Sequence, residues 1–135
     1  MSTTLVIGSD EGVLEGIAQV LASSGHRAHV VRSVAEAVAV MSEIRPLVAL
    51  VERSMAADPE FQSLRLPPGA ALLLYRHDQQ ATPALPTAVQ RLTIADLVLP
   101  WERQRLVTIV QRLTERAVAS GRTRRDTPPE RRDAF

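Results

Sequence analysis

The sequence predicts an α/β fold, a three-layer sandwich in which helices cover both faces of a parallel sheet. Five short apolar segments alternate with segments whose apolar residues recur at helical spacing. Valine, leucine and alanine lead an apolar fraction of 45%, whereas aromatic residues make up 3%. Small and branched aliphatic side chains are typical of sheets buried on both faces. At 135 residues, the chain is long enough for one domain with its own core.

Each apolar run is short and is closed by polar or turn-forming residues, which is typical of buried strands. The predicted strands are residues 5–8, 28–31, 47–51, 70–75 and 95–99. Parallel neighbours need crossover helices, and right-handed crossovers favour a flavodoxin-like strand order of 2-1-3-4-5. In such a sheet the functional groups gather at the carboxyl ends of the strands.

The first two helices have clear start and stop signals. Asp10 is placed to begin the first helix, and Gly25 is suited to end it. Ser33 and Glu36 form a capping box at the start of the second helix, and Pro46 ends that helix. The residues predicted to face the core are Val13, Leu14, Ile17, Val20 and Leu21 in the first helix, and Val34, Val38, Met41 and Ile44 in the second.

Prolines interrupt the middle of the chain, so only short helices are predicted there, around residues 60–64 and 87–92. A last helix follows Pro100 and Trp101. Its inward residues are predicted to be Leu106, Ile109, Val110 and Leu113. We expect the folded domain to span residues 1–119. Residues 120–135 are rich in Arg, Asp and Pro, which predicts a disordered tail or linker.

Composition excludes several classes of site. The chain has no cysteine, so disulfides and thiolate metal sites are excluded. No apolar run approaches the roughly 20 residues of a membrane span, and no signal-peptide pattern begins the chain, so a cytoplasmic protein is expected. All sixteen basic residues are arginine, and without lysine no ammonium group is available. Acidic residues interleave with the arginines of the tail, which favours a solvated linker over nucleic-acid binding.

Four segments resemble the receiver domains of bacterial response regulators. Residues 5–11 resemble the first strand and acidic corner, and residues 46–52 resemble the strand that ends in the phosphoacceptor aspartate. Met55 matches a methionine of the following turn, and residues 97–101 resemble the end of the fifth strand. The resemblance spans roughly residues 4–115 and implies a regulatory module of two-component signalling and phosphorelay.

The positions that carry phosphoryl chemistry in that family are changed in this chain. Ser9 replaces one of two adjacent acids and Asp10 keeps the other, while Glu52 stands at the phosphoacceptor position. Tyr75 stands where the family has a switch Ser or Thr, and Leu99 where it has Lys. The proline after Met55 is Ala56, and Asp96 aligns with an aromatic residue of the fifth strand. The resemblance therefore implies a pseudo-receiver.

These changes argue against ordinary phosphotransfer. Magnesium dehydrates reluctantly, so the loss of one carboxylate weakens its site and leaves at most a feeble one at Asp10 and Glu52. The extra methylene of Glu52 displaces the nucleophile, and Leu99 donates no hydrogen bond to a phosphoryl group. We therefore expect no enzyme activity and no cofactor. Glu52 is interpreted as an acid exposed at a strand end, with a built-in phosphomimic as the alternative.

Two weaker patterns, of glycines and of histidines, do not indicate a binding site. Gly8, Gly12 and Gly16 follow the first strand, but their spacing does not match a nucleotide-binding loop. The three histidines have no ligand spacing matched with acids. Neither pattern predicts a cofactor or metal site.

The resemblance implies that the module acts by binding proteins, either a component of a histidine-kinase pathway or an output domain. Receiver domains pair through the face of the fourth helix, fifth strand and fifth helix, which suggests a homodimer here. The residues predicted nearest this face are Arg91, Asp96, Trp101, Glu102 and Arg105. Two alternatives stay open: a phosphoaccepting receiver with an unusual site, and a sensor that binds a small apolar ligand beneath Tyr75 and Leu99.

Overall fold

In the computed structural model, residues 3–77, 84–99 and 101–126 are described, with side chains described as far as residue 119. Within these residues, the sheet has five strands, each parallel to its neighbours, in the order β2-β1-β3-β4-β5. The strands are β1 (Thr3–Ile7), β2 (Arg27–Val31), β3 (Val48–Glu52), β4 (Ala71–Arg76) and β5 (Thr93–Val98). The predicted strand order is confirmed, and strand ends differ from the prediction by one or two residues.

Helices cover both faces of the sheet, as predicted. They are α1 (Glu11–Ser23), α2 (Val34–Ile44), α3 (Arg53–Ala56), α4 (Thr87–Leu92) and α5 (Arg103–Asp126), with a 3₁₀ helix at Pro59–Ser63. One core cluster contains apolar residues of α1 and α5 against one sheet face. The other contains residues of α2, the 3₁₀ helix and α4 against the opposite face. None of the described helices is long and apolar enough to cross a membrane.

The predicted start signals of α1 and α2 are confirmed. The carboxylate of Asp10 accepts hydrogen bonds from the backbone N–H groups of Gly12 and Val13, at 2.9 and 3.2 Å. The Ser33 hydroxyl accepts the Glu36 N–H at 3.1 Å, while the Glu36 carboxylate accepts the N–H of Arg32, one residue before the cap. These caps satisfy backbone donors that have no partner inside the helix.

The prediction that Val38 faces the core is wrong. Val38 is 45% exposed, whereas Ala37 is fully buried. The buried stripe of α2 follows Val34, Ala37 and Met41. Val38 lies one helical turn after Val34. However, the buried residues Ala37 and Met41 lie on the side of Val34 that is away from Val38, so Val38 faces solvent.

The last helix is longer than the sequence predicts. Helix α5 continues to Asp126, so the first seven residues of the predicted tail are helical. Arginine is a good helix former, and each added residue gains one backbone hydrogen bond. The remaining tail, residues 127–135, lies outside the described residues. The domain limit at residue 119 stays a prediction.

Candidate functional site

The carboxyl edge of the sheet brings the predicted site residues together. Glu52 ends β3 and is in register with Tyr75 of β4, which is in register with Leu97 of β5. Ser9 follows β1, which pairs with β3. The carboxyl ends of three adjacent strands therefore place the Glu52 carboxylate, the Ser9 hydroxyl and the Tyr75 phenol within one crevice.

Both oxygens of the Glu52 carboxylate accept hydrogen bonds from nearby residues. The backbone N–H and the hydroxyl of Ser9 donate to Oε1, each at 2.9 Å. The hydroxyl of Ser54 donates to Oε2 at 2.7 Å. Glu52 is buried, with 6% of its surface exposed, so the prediction of an exposed acid is wrong. A buried carboxylate with donors on both oxygens is stabilised where it lies, so the crevice is filled by the chain's own groups.

Asp10 does not join this hydrogen-bond set. It is exposed, and one of its oxygens accepts the two N–H groups at the start of α1. No group of three or more His, Cys, Asp or Glu side chains among the described residues could hold a metal ion. The predicted weak magnesium site at Asp10 and Glu52 stays a prediction.

Tyr75 is packed tightly beneath the loop that follows β1. Its side chain is 2% exposed, and its hydroxyl donates to the carbonyl of Ile7 at 3.5 Å. A Cβ at Gly8 would lie 1.9 Å from the Tyr75 Oη, so glycine is required there by close approach. Burial, with the negative charges of Glu52 and Asp10, raises the pKa of Tyr75 well above its usual range. The phenol is therefore a neutral donor at neutral pH.

Leu99 is also buried, at 4% exposed, and belongs to the core cluster between the sheet and helices α1 and α5. Its backbone N–H donates to the carbonyl of Arg76 at 2.8 Å. Its side chain supplies apolar packing. No hydrogen bond or charge can come from that side chain to a bound phosphoryl group.

An arginine that sequence analysis missed lies at the rim of the crevice. Arg32, at the end of β2, donates to the carbonyl of Ser9 at 3.3 Å and forms an ion pair with Glu11 at 3.7 Å. Ser9 belongs to the β1–α1 loop, and Glu11 is the first residue of α1. Arg32 thus helps to hold the loop whose serine binds Glu52.

A second missed contact joins the β3–α3 corner to the edge of the sheet. The guanidinium of Arg53, the residue after Glu52, donates to the carboxylate of Asp96 in β5. The side chains of Arg53 and Asp96 are 18% and 38% exposed. Asp96 therefore has a partner within the chain. This ion pair spans β4, since β4 lies between β3 and β5.

The five predicted interface residues have different surroundings. Trp101 is 74% exposed, and Arg91 is exposed at the end of α4. Glu102 accepts the N–H of Val98 at 2.8 Å and the Arg105 guanidinium at 3.1 Å, so it supports the start of α5. The backbone hydrogen bond and Arg105 lower the pKa of Glu102.

Two exposed apolar residues of the same region were not predicted. Leu92, which ends α4, is 64% exposed, and Ile94 is 58% exposed. The pairing of β4 with β5 shifts between Leu72 and Leu73, so Ile94 is the extra residue of a β-bulge. We call Leu92, Ile94 and Trp101 the α4–β5 surface. Sequence alternation could not reveal Ile94, because a bulge reverses which face a side chain occupies.

The fold is that of response-regulator receiver domains. A CheY-like receiver domain from Methylobacillus flagellatus superposes with a TM-score of 0.66 at 15% identity, covering 84% of this chain and 98% of that one. A receiver domain from Clostridium thermocellum gives 0.67 at 17% identity, covering 88% and 98%. The pseudo-receiver domain of the CikA protein gives 0.58 at 16% identity, covering 84% and 98%. No protein-family model and no curated protein matches the chain.

Proposed function

We propose that this chain is a pseudo-receiver, a signalling module that acts by binding proteins without being phosphorylated. The observation that supports this most directly is the hydrogen bonding of Glu52. Its two carboxylate oxygens accept three hydrogen bonds from Ser9 and Ser54. In the receiver fold, this is the position of the phosphoacceptor.

Phosphorylation of Glu52 would disturb this arrangement. A carboxylate that attacks phosphorus must turn an oxygen lone pair toward the phosphoryl donor, and it would lose hydrogen bonds to Ser9 or Ser54. The product would add negative charge at Glu52, which is 6% exposed and in register with Tyr75, whose hydroxyl already donates to Ile7. Added charge in a buried position is costly unless it is fully paired or hydrogen-bonded. Both steps therefore work against a phosphorylated state.

Incubation with acetyl phosphate and Mg²⁺, followed by intact-mass spectrometry, tests this part of the proposal. We expect no phosphoryl adduct on the wild type. A Glu52→Asp variant should also stay unmodified, since it restores only one of the changed groups. A receiver domain with the usual aspartate, treated in parallel, checks the reagent. A stable adduct on Glu52 would favour the alternative, a phosphoaccepting receiver.

The α4–β5 surface is the region we propose for protein binding. Its three apolar side chains are more than half exposed. Leu92 and Ile94 lie at the start of β5 and Trp101 follows its end, so the surface extends along this edge strand, with Arg91 exposed beside Leu92. Exposed large apolar side chains with charged neighbours are typical of interaction sites. We propose that a second copy of the chain binds there, with a kinase-pathway protein or output domain as the alternative partner.

Sedimentation equilibrium tests the homodimer. We expect the wild type to self-associate and Ile94→Thr to weaken the association about tenfold. Val38→Thr is the matched control, because Val38 is 45% exposed on α2, which contacts β1 and β2 near the other edge of the sheet. Equal association of both variants, or a wild type that stays monomeric at high concentration, would exclude the second copy as the partner.

A further inference from the structure

An open groove runs between α1 and α5 near the carboxyl edge of the sheet, with a volume of about 440 Å³. Ile17, Leu99 and Leu106 line it and are buried, at 5%, 4% and 1% exposed. They make its floor apolar. Pockets that bind small molecules commonly enclose about 300–1,000 Å³ and are largely apolar with a few polar groups. The groove is of that size and composition.

Two glycines of α1 leave this groove open. Gly12 and Gly16 lie one turn apart on the groove side of the helix. A Cβ at Gly16 would meet no atom within 4 Å, and one at Gly12 would meet only the Asp10 Oδ1 at 3.4 Å. Neither glycine has a positive φ angle. Neither packing nor backbone conformation therefore requires glycine at these positions.

Glycine inside a helix has a stability cost, roughly 0.5–1 kcal/mol relative to alanine. Gly16 lies inside α1 and therefore weakens it, whereas Gly12 is in the first turn, and the described structure shows no contact that requires glycine at either position. The only thing they provide is empty space beside Ile17 and Leu99. This favours a role for the groove that the folded chain alone does not need.

The polar side chains that line the groove are basic or neutral. Arg103, the first residue of α5, and His77, which follows β4, lie at its exposed rim. Among the described residues that line the groove, none is acidic, although the Asp10 carboxylate lies beside Gly12. Arg103 has no ion-pair partner within the described part of the chain. Arg103 therefore gives the rim a guanidinium that can bind an anionic group.

We propose that this groove binds a small amphipathic anion, such as an aliphatic or aromatic carboxylate. Its apolar part lies on Ile17, Leu99 and the two glycines, and its acidic group contacts Arg103. This site is separate from the Glu52 crevice and from the α4–β5 surface, so it stands whether or not the proposed protein interaction is correct. The sequence alone suggested a ligand beneath Tyr75 and Leu99, and of these two only Leu99 lines this groove.

The probe is 8-anilinonaphthalene-1-sulfonate, an aromatic anion whose fluorescence rises in apolar surroundings. We expect saturable binding of one probe molecule to the folded wild type. Octanoate should displace the probe, whereas octylammonium should not, because Arg103 repels a cation. Absence of saturable binding, or equal displacement by both competitors, would overturn the proposal.

Two pairs of variants locate the site. Gly16→Leu fills the groove and should abolish probe binding, while Ala22→Leu adds the same side chain to an exposed position of α1 outside the groove and should change nothing. Arg103→Gln should weaken binding about fivefold, and Arg112→Gln, an exposed arginine elsewhere on α5, should not. Gly16→Leu should remain folded, since leucine is the better helix former. Unchanged probe binding by folded Gly16→Leu would refute the assignment.

Discussion

The Glu52 crevice and the α4–β5 surface lie in one fold, yet a charged group is buried in the crevice while apolar groups are exposed on the surface. Glu52 is 6% exposed and receives hydrogen bonds on both carboxylate oxygens. Leu92 and Ile94 are 64% and 58% exposed, although both are apolar. The carboxylate in the crevice has hydrogen-bond partners within the chain, whereas the apolar side chains of the surface are left in contact with solvent. This difference is the basis of our proposal that the chain interacts through its surface and not through chemistry in its crevice.

The closed packing of the crevice gives the largest predicted effect. Gly8→Ala should destabilise the fold by about 3 kcal/mol. The new methyl group would overlap the Tyr75 hydroxyl, so the buried ring would have to move. Urea unfolding monitored by circular dichroism measures this. An unchanged midpoint would mean that the crevice is loosely packed, which would remove the contrast with the α4–β5 surface.

Tyr75→Phe provides the control for that prediction. It removes the atom nearest the new methyl group, so it should restore part of the stability of Gly8→Ala. The remaining loss reflects the Leu14 side chain, which would lie 2.9 Å from the methyl group. Alone, Tyr75→Phe should cost less than about 1 kcal/mol, since its hydrogen bond to Ile7 is long at 3.5 Å.

Substitution of Glu52 separates structural support from charge. Glu52→Ala should cost about 2 kcal/mol, because the Ser9 N–H and two serine hydroxyls lose their acceptor. Glu52→Gln should cost less, because an amide oxygen can still accept from Ser9 and its NH₂ can donate to Ser54. Denaturant unfolding compares the two variants.

The same Glu52→Gln variant addresses the phosphomimic alternative. If Glu52 acts only as a structural acceptor, the variant should keep the self-association of the wild type in sedimentation equilibrium. A large loss of association with unchanged stability would instead show that the negative charge of Glu52 controls the α4–β5 surface.

The Arg53–Asp96 ion pair connects the two regions, so its coupling energy shows how firmly they are joined. A double-mutant cycle of Arg53→Gln and Asp96→Asn should give about 1 kcal/mol, since both side chains are partly exposed. Unfolding free energies of the two single variants and the double variant measure it. Additive effects would show that the crevice and the edge strand are independent.

Glu102 gives the smallest predicted effect, through pH. Its pKa is lowered in the folded state, so its contribution is present above the unfolded value near 4.5 and is lost as pH falls below it. Glu102→Gln should therefore be slightly less stable than the wild type at pH 7, and the difference should disappear as pH falls through the lowered pKa of the folded state. Thermal unfolding across this range measures it, with Glu15→Gln as an exposed control. A difference that persists at low pH would contradict a role for the ionised carboxylate.

Sequence patterns were sufficient for the architecture. Apolar runs, the Asp10 cap and the Ser33–Glu36 capping box predict elements that the structure contains. These signals are local, since they depend on residues within one or two turns. The position of Glu52 was predictable for the same reason, because it ends an apolar run.

The contacts that define the crevice were not predictable. Ser9 and Glu52 are 43 residues apart, as are Arg53 and Asp96, and only the register of the folded sheet brings each pair together. The need for glycine at position 8 depends on the length of the Tyr75 side chain, 67 positions later. The β-bulge at Ile94 likewise depends on the pairing of β5 with β4. Such features follow from tertiary contacts that no local pattern encodes.

The central claim is that hydrogen bonds from Ser9 and Ser54 occupy the Glu52 carboxylate. Its most direct test is an amide NMR spectrum recorded with and without Mg²⁺ and beryllofluoride, a phosphoryl analogue. The Ser9 N–H donates to Glu52, so its resonance reports any change at that carboxylate. We predict that the resonances of Ser9 and Ser54 stay in place at millimolar Mg²⁺ and beryllofluoride. Saturable shifts of both resonances, accompanied by shifts along β5, would contradict the account.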